Sequence, residues 1–227
     1  MDAARENLRF EVQEHVGHDG GVGMESSAEI LTAVNRWARC REVIHATSGE
    51  KLGKETNSKI DQAVVFAVLL LGNSGQSVTE CGCDAEQSVA PILQVASCGP
   101  KKVAATVLAL TEGKNSSGDV RWTEKGLGER FLFDEEQKIA VFRSGWKRGA
   151  VRVLVSYRDE SPYFEIVAGG RLVVAGRWDV ALRCDGKELR CVGPWRRTWW
   201  DANDSAVYFE MSVDVEGGRR LERSVLL

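Results

Sequence analysis

The run Trp195-Arg196-Arg197-Thr198-Trp199-Trp200 joins two side-chain types suited to holding a sugar. A flat indole stacks on the C–H face of a pyranose ring, and a guanidinium offers charged donors to a carboxylate or sulfate. Strict strand alternation places Trp195, Arg197 and Trp199 on one face and Arg196, Thr198 and Trp200 on the other. Trp195, Arg197 and Trp199 are therefore the ligand-binding candidates, with core packing as the competing use of each indole. Other chemistry-bearing groups are incomplete. Cys81-Gly-Cys83 is shorter than a zinc knuckle and no second pair follows. Asp201, Asn203 and Asp204 resemble the start of a calcium loop but lack its glycine and closing glutamate. Gly20-Gly-Val-Gly23 has neither the Lys-Ser/Thr of a phosphate loop nor a strand before it. No metal and no cofactor are expected. His15, His18 and His45 all fall in the N-terminal part, so no imidazole accompanies the Trp cluster in sequence.

The elements that must position these residues divide into a helical half and a β half, an α+β chain. Residues 1–25 are polar and Gly-rich and are expected to form a flexible segment. Residues 26–112 form a helical region. Ser26 or Ser27 can cap a helix through Ile30, Leu31, Val34, Trp37 and Ala38, and Asn57 or Ser58 can cap a second from Ile60 to Leu71. Two more helices are expected over 85–96 and 101–110. Residues 113–128 are a linker by composition. From residue 129 to 227 the apolar period changes to two, and ten short strands alternate with turn signals such as Gly169-Gly170, Asp185-Gly186 and Gly217-Gly218. That spacing predicts an antiparallel β-sandwich-like domain, with Trp146 and Trp178 in its core. Cys184 and Cys191 flank the Asp-Gly turn and could face each other across two strands, although without an export signal reduced thiols are expected.

At 227 residues, with 43% hydrophobic and 28% charged residues, the composition is that of a soluble globular protein. A net charge of -3 gives no bulk attraction to nucleic acid or to an anionic membrane. The longest apolar run, Ala63 to Leu71, is too short to span a bilayer as a helix. Met1-Asp-Ala-Ala-Arg-Glu-Asn has no secretory pattern, so the expected location is the cytoplasm.

Ala140-Val-Phe-Arg-Ser-Gly-Trp146 resembles the (A/G)-x-x-R-S-G-W segment that opens the β-sandwich of heparinase II/III-like polysaccharide lyases. Phe164 to Gly176 is similar to that family's strand–turn–strand, and Tyr208 to Leu227 resembles its closing strand pair. The likeness covers about residues 130–227 and implies helices before a sandwich. It also implies lyase chemistry on a uronate: neutralising the carboxylate, removing the C5 proton, and donating to the leaving oxygen. Where the family has His-Gly-His-x-Asp, this chain reads Tyr157-Arg-Asp-Glu-Ser-Pro162. What is left for that chemistry is Arg143 or Arg158 for the carboxylate and Tyr157 or Tyr163 for the proton, with Arg143, Tyr157 and Arg158 as the catalytic candidates. A tyrosine with its ordinary pKa, about 10, is a poor base at neutral pH unless a cation lowers it. Four helices are also too few for the family's toroid, and the sandwich is expected to be incomplete.

The resulting expectation is a divergent, non-catalytic heparinase II/III-like chain whose sandwich binds acidic polysaccharide. A protein-interaction or structural β module, pairing with a protein partner or a second copy through an uncovered sheet edge, is the alternative. A gene fragment without independent activity is a third reading.

Overall fold

The computed structural model describes residues 2–49, 52–71, 130–145, 150–203 and 206–227. The expected helices over 85–96 and 101–110, the linker over 113–128, Cys81, Cys83 and Trp146 lie outside them. Among the described residues, three helices come first: α1 (Asp2–His15), α2 (Ser27–Ser48) and α3 (Lys54–Leu70). Ten strands follow: β1 (Phe131–Asp134), β2 (Ile139–Arg143), β3 (Val151–Ser156), β4 (Tyr163–Ala168), β5 (Arg171–Arg177), β6 (Leu182–Cys184), β7 (Lys187–Leu189), β8 (Cys191–Ala202), β9 (Val207–Val215) and β10 (Arg219–Leu226). They pair antiparallel into a five-stranded sheet β1-β2-β3-β4-β5, a three-stranded sheet β10-β9-β8 and the small hairpin β6-β7. No helix among the described residues is long and apolar enough to cross a membrane.

The layers follow from the two faces of the first sheet. Ile139, Val141 and Leu154 join one apolar cluster with Leu8, Val12, Trp37, Ile60 and Phe66 of the helices. The opposite face, through Ala140, Phe142, Val153 and Val155, joins Trp195, Phe209, Met211 and Val213 of the second sheet. Helices, first sheet and second sheet thus form three layers around two cores.

Residues 1–25 correct one expectation. In place of a flexible segment they contain α1, whose Leu8 and Val12, spaced for one helix face, are buried together with Val16 beyond its end. The Gly-rich stretch after it is a clasp. The fully buried Asp134 carboxylate accepts from the backbone N–H of Asp19 (3.2 Å), Gly21 (2.9 Å) and Gln137 (2.9 Å). A Cβ on Gly21 would lie 2.3 Å from Asp134 Cβ, so the loop needs glycine to approach the sheet this closely.

Helix α2 starts where Ser26 accepts from Glu29 N–H (3.3 Å) and stops at Gly49, whose left-handed φ of 66° returns an N–H to His45 O. Helix α3 starts a turn earlier than expected. Asn57 does not cap it; its amide donates to Leu52 O (2.6 Å) from inside the first turn. Asp185-Gly186, with φ of 50° and 77°, makes the two-residue β6-β7 turn. That register sets Cys184 opposite Lys187, not Cys191, and both thiols are free.

Candidate functional site

The catalytic candidates Arg143, Tyr157 and Arg158 are brought to different places, and each is held by the fold. Arg143 ends β2 on the helix-facing side and is buried. Its Nη1 donates to Leu69 O (3.0 Å) and Leu71 O (2.8 Å), and its Nε to Gly145 O (3.3 Å). The guanidinium thus satisfies carbonyls left open at the C-terminus of α3, where a cation also meets the negative end of the helix dipole. Burial, and then neighbouring Arg152, push Arg143 down to about 10, which still leaves it charged at neutral pH. Arg152, its partner across β2-β3, pairs with buried Glu165. Glu165 also accepts from Ser27 N–H (3.1 Å) and Ser27 Oγ (2.6 Å), which seats the start of α2 on a carboxylate. Burial lowers the Arg152 pKa, and the Glu165 charge opposes that shift.

Tyr157 lies on the other side of the first sheet. It is fully buried, with its ring 5.8 Å from that of Phe209, and its hydroxyl donates to Glu135 (3.2 Å). Burial first, then the Glu135 carboxylate, hold its pKa well above the ordinary tyrosine value. That is the reverse of what a base requires. Arg158 donates through Nη1 to Gly23 O, fastening the end of the glycine clasp. Arg143 and Tyr157 are therefore separated by the thickness of the sheet.

The Trp-Arg cluster departs from strict alternation. Pro194 lies in β8, a strand at the edge of its sheet, where the missing N–H is tolerated. The register against β9 shifts between Val192 and Arg196 and again between Arg197 and Trp199. In the second shift, two residues of β8 advance against one of β9, since Arg197 faces Met211 and Trp199 faces Glu210. Trp195 therefore points inward. It is 1% exposed and donates through Nε1 to Glu160 O (2.7 Å). Arg197 sits at the sandwich rim, with Nε 3.3 Å from Glu135 and its guanidinium 6.0 Å from the Phe133 ring. Trp199 points outward and is 62% exposed. Trp200 turns back over Phe131 and Phe133, with centroids 5.4 and 4.8 Å away. Of the three binding candidates, only Trp199 is presented as an open platform.

Around Trp199 the outer face of the second sheet is polar and cross-linked. Glu210 accepts from Thr198 Oγ1 (2.7 Å) and from Tyr208 OH (2.6 Å), and these bonds lower its pKa. Arg196 pairs with Asp214, and Arg220 Nε lies 3.6 Å from the same carboxylate. Thr198, Tyr208, Glu210 and Asp214 were not singled out by sequence. The alternating run Val207–Val215 was the available signal that Tyr208, Glu210 and Asp214 share a face.

A second surface feature lies where the two sheets splay apart. An apolar groove of about 450 Å³ between β5 and β10 is lined by Phe164, Ile166, Val174, Trp178, Val225 and Leu226. Trp178, expected in the core, stands at its mouth and is 42% exposed, edge-on to Phe164 (4.6 Å) and covered by Arg223 (4.2 Å).

No family model matches the sequence, and no curated protein matches it. Two solved structures match the fold. One is a heparinase III with methylated lysines, at TM-score 0.65 and 14% identity, covering 98% of this chain and 38% of that one. The other is a heparinase III at TM-score 0.64 and 10% identity, covering 98% of this chain and 40% of that one. The chain has a heparinase III-like fold. It spans about two fifths of the length of the heparinase III chains it resembles, and at this identity the likeness concerns the fold alone.

Proposed function

We propose that this heparinase-like chain is a non-catalytic module that binds polysaccharide through the outer face of its second sheet. The observation that carries the reading is the fate of the residues available for elimination. Arg143 holds the end of α3, Tyr157 is buried against Glu135, and Arg158 holds the glycine clasp. A uronate carboxylate cannot reach Arg143 and Tyr157 together, because they lie on opposite faces of one sheet. Trp199, in contrast, offers an uncovered indole beside fixed hydroxyl and carboxylate groups. Affinity electrophoresis through polysaccharide-containing gels tests the binding. Retardation of the intact chain that is lost in Trp199→Ala is the expected result, and unretarded migration on every polysaccharide would overturn it.

The apolar groove between β5 and β10 favours a second reading, association with another copy of the chain through that open edge. Sedimentation velocity over a range of protein concentrations separates the two. A concentration-independent monomer that binds polysaccharide would exclude self-association.

A further inference from the structure

We infer that the saccharide taken by the Trp199 face is neutral and rich in hydroxyl groups, rather than a uronate or sulfated chain; this rests on the polysaccharide-binding reading above. Charge balance decides it. Along the outward register positions of β8, β9 and β10 stand four carboxylates (Asp201, Glu210, Asp214 and Glu222) and two guanidiniums (Arg196 and Arg220). Both arginines lie against Asp214, which offsets part of their charge, and four carboxylates against two guanidiniums leave the face formally negative. Arg197, the guanidinium the sequence suggested for an incoming anion, is at the rim against Glu135.

Glu210 faces Trp199 directly across β8-β9. Thr198 and Tyr208 fix its carboxylate with one bond to each oxygen. An ionised carboxylate has about four lone-pair sites, so each oxygen keeps accepting capacity. A sugar stacked on Trp199 can donate neighbouring hydroxyls to that fixed acceptor, whereas a sugar carboxylate or sulfate would be repelled by it. The same bonds keep Glu210 ionised below the ordinary carboxylate range, so the acceptor persists at mildly acidic pH.

The test is affinity electrophoresis on two gel sets. Neutral gels contain hydroxyethyl cellulose, arabinoxylan, galactomannan or laminarin, and acidic gels contain heparan sulfate, hyaluronan or alginate. The expected result is retardation by at least one neutral polymer and by none of the acidic ones. It should be unchanged as salt rises from about 0.05 to 0.5 M, because an uncharged sugar brings no net charge for salt to screen. Trp199→Ala should abolish it, and Glu210→Gln should weaken it about tenfold, with the thermal melt unchanged in both. Retardation by acidic polymers alone, lost in Trp199→Ala, would overturn this inference and leave polysaccharide binding standing. Retardation that survives Trp199→Ala would overturn the site. No retardation on any gel would overturn both readings.

Discussion

The interface between the helices and the first sheet, and the outer face of the second sheet, both gather arginines, carboxylates and hydroxyls, yet use them oppositely. At the interface, Arg143, Arg152, Glu165 and Asp134 are buried; Arg143, Glu165 and Asp134 hold helix ends and loop N–H groups, and Arg152 pairs with Glu165. On the outer face, Glu210, Arg196 and Asp214 bond laterally on an exposed surface beside an open Trp199. Covering a polar group removes water and makes its protein partners obligatory, whereas leaving it at the surface keeps it available. Residue type alone does not mark a site. What covers the residue does.

The widest gap should separate two tryptophans four positions apart on β8. Trp195→Ala removes a fully buried indole and its bond to Glu160 O, and should cost about 4 kcal/mol. Trp199→Ala should change stability by no more than about 0.5 kcal/mol. Urea unfolding followed by circular dichroism gives both values, and equal midpoints would show that Trp195 is not buried as described.

Next comes the clasp. Gly21→Ala drives a methyl into Asp134 and Ile139 and should cost about 3 kcal/mol, read as a lower urea midpoint. A wild-type midpoint would show that the loop is not held as described.

Arg143→Ala leaves the Leu69 and Leu71 carbonyls without that buried donor and should cost about 2 kcal/mol. Loss of binding without loss of stability would place Arg143 in a ligand site instead.

The smallest effect is at alkaline pH. Tyr157 titrates higher in the folded than in the unfolded chain. Above about pH 10 the unfolded state therefore holds fewer protons at this group, and its contribution to stability falls as pH rises. The urea midpoint of the parent chain should fall relative to that of Tyr157→Phe from pH 9 to 11; a constant difference would contradict the raised value.

Much of the β half was legible in sequence, because a two-residue apolar period and turn glycines mark antiparallel strands locally. The strand Tyr163–Ala168 falls where the pattern put it, and the others start or stop within a few residues, except that β6 begins only at Leu182 and β8 extends well beyond Arg196–Trp200. Helix α1 was hidden because Leu8 and Val12 are spaced correctly but sit among charged residues. The glycines of the clasp read as flexibility, although their small size serves a carboxylate more than a hundred residues away in sequence. Trp199 was visible as a candidate, but its partners were not. Two register shifts in β8 decide which indole turns outward, and a shift depends on pairing with β9 rather than on any local signal.

The most direct test of the non-catalytic reading is a lyase assay on the intact chain with heparan sulfate, hyaluronan and alginate, following the ultraviolet absorbance of an unsaturated uronate. No product above a protein-free control is expected from pH 5 to 10. Steady turnover, lost in Tyr157→Phe or Arg143→Ala while the circular dichroism spectrum stays unchanged, would contradict that reading.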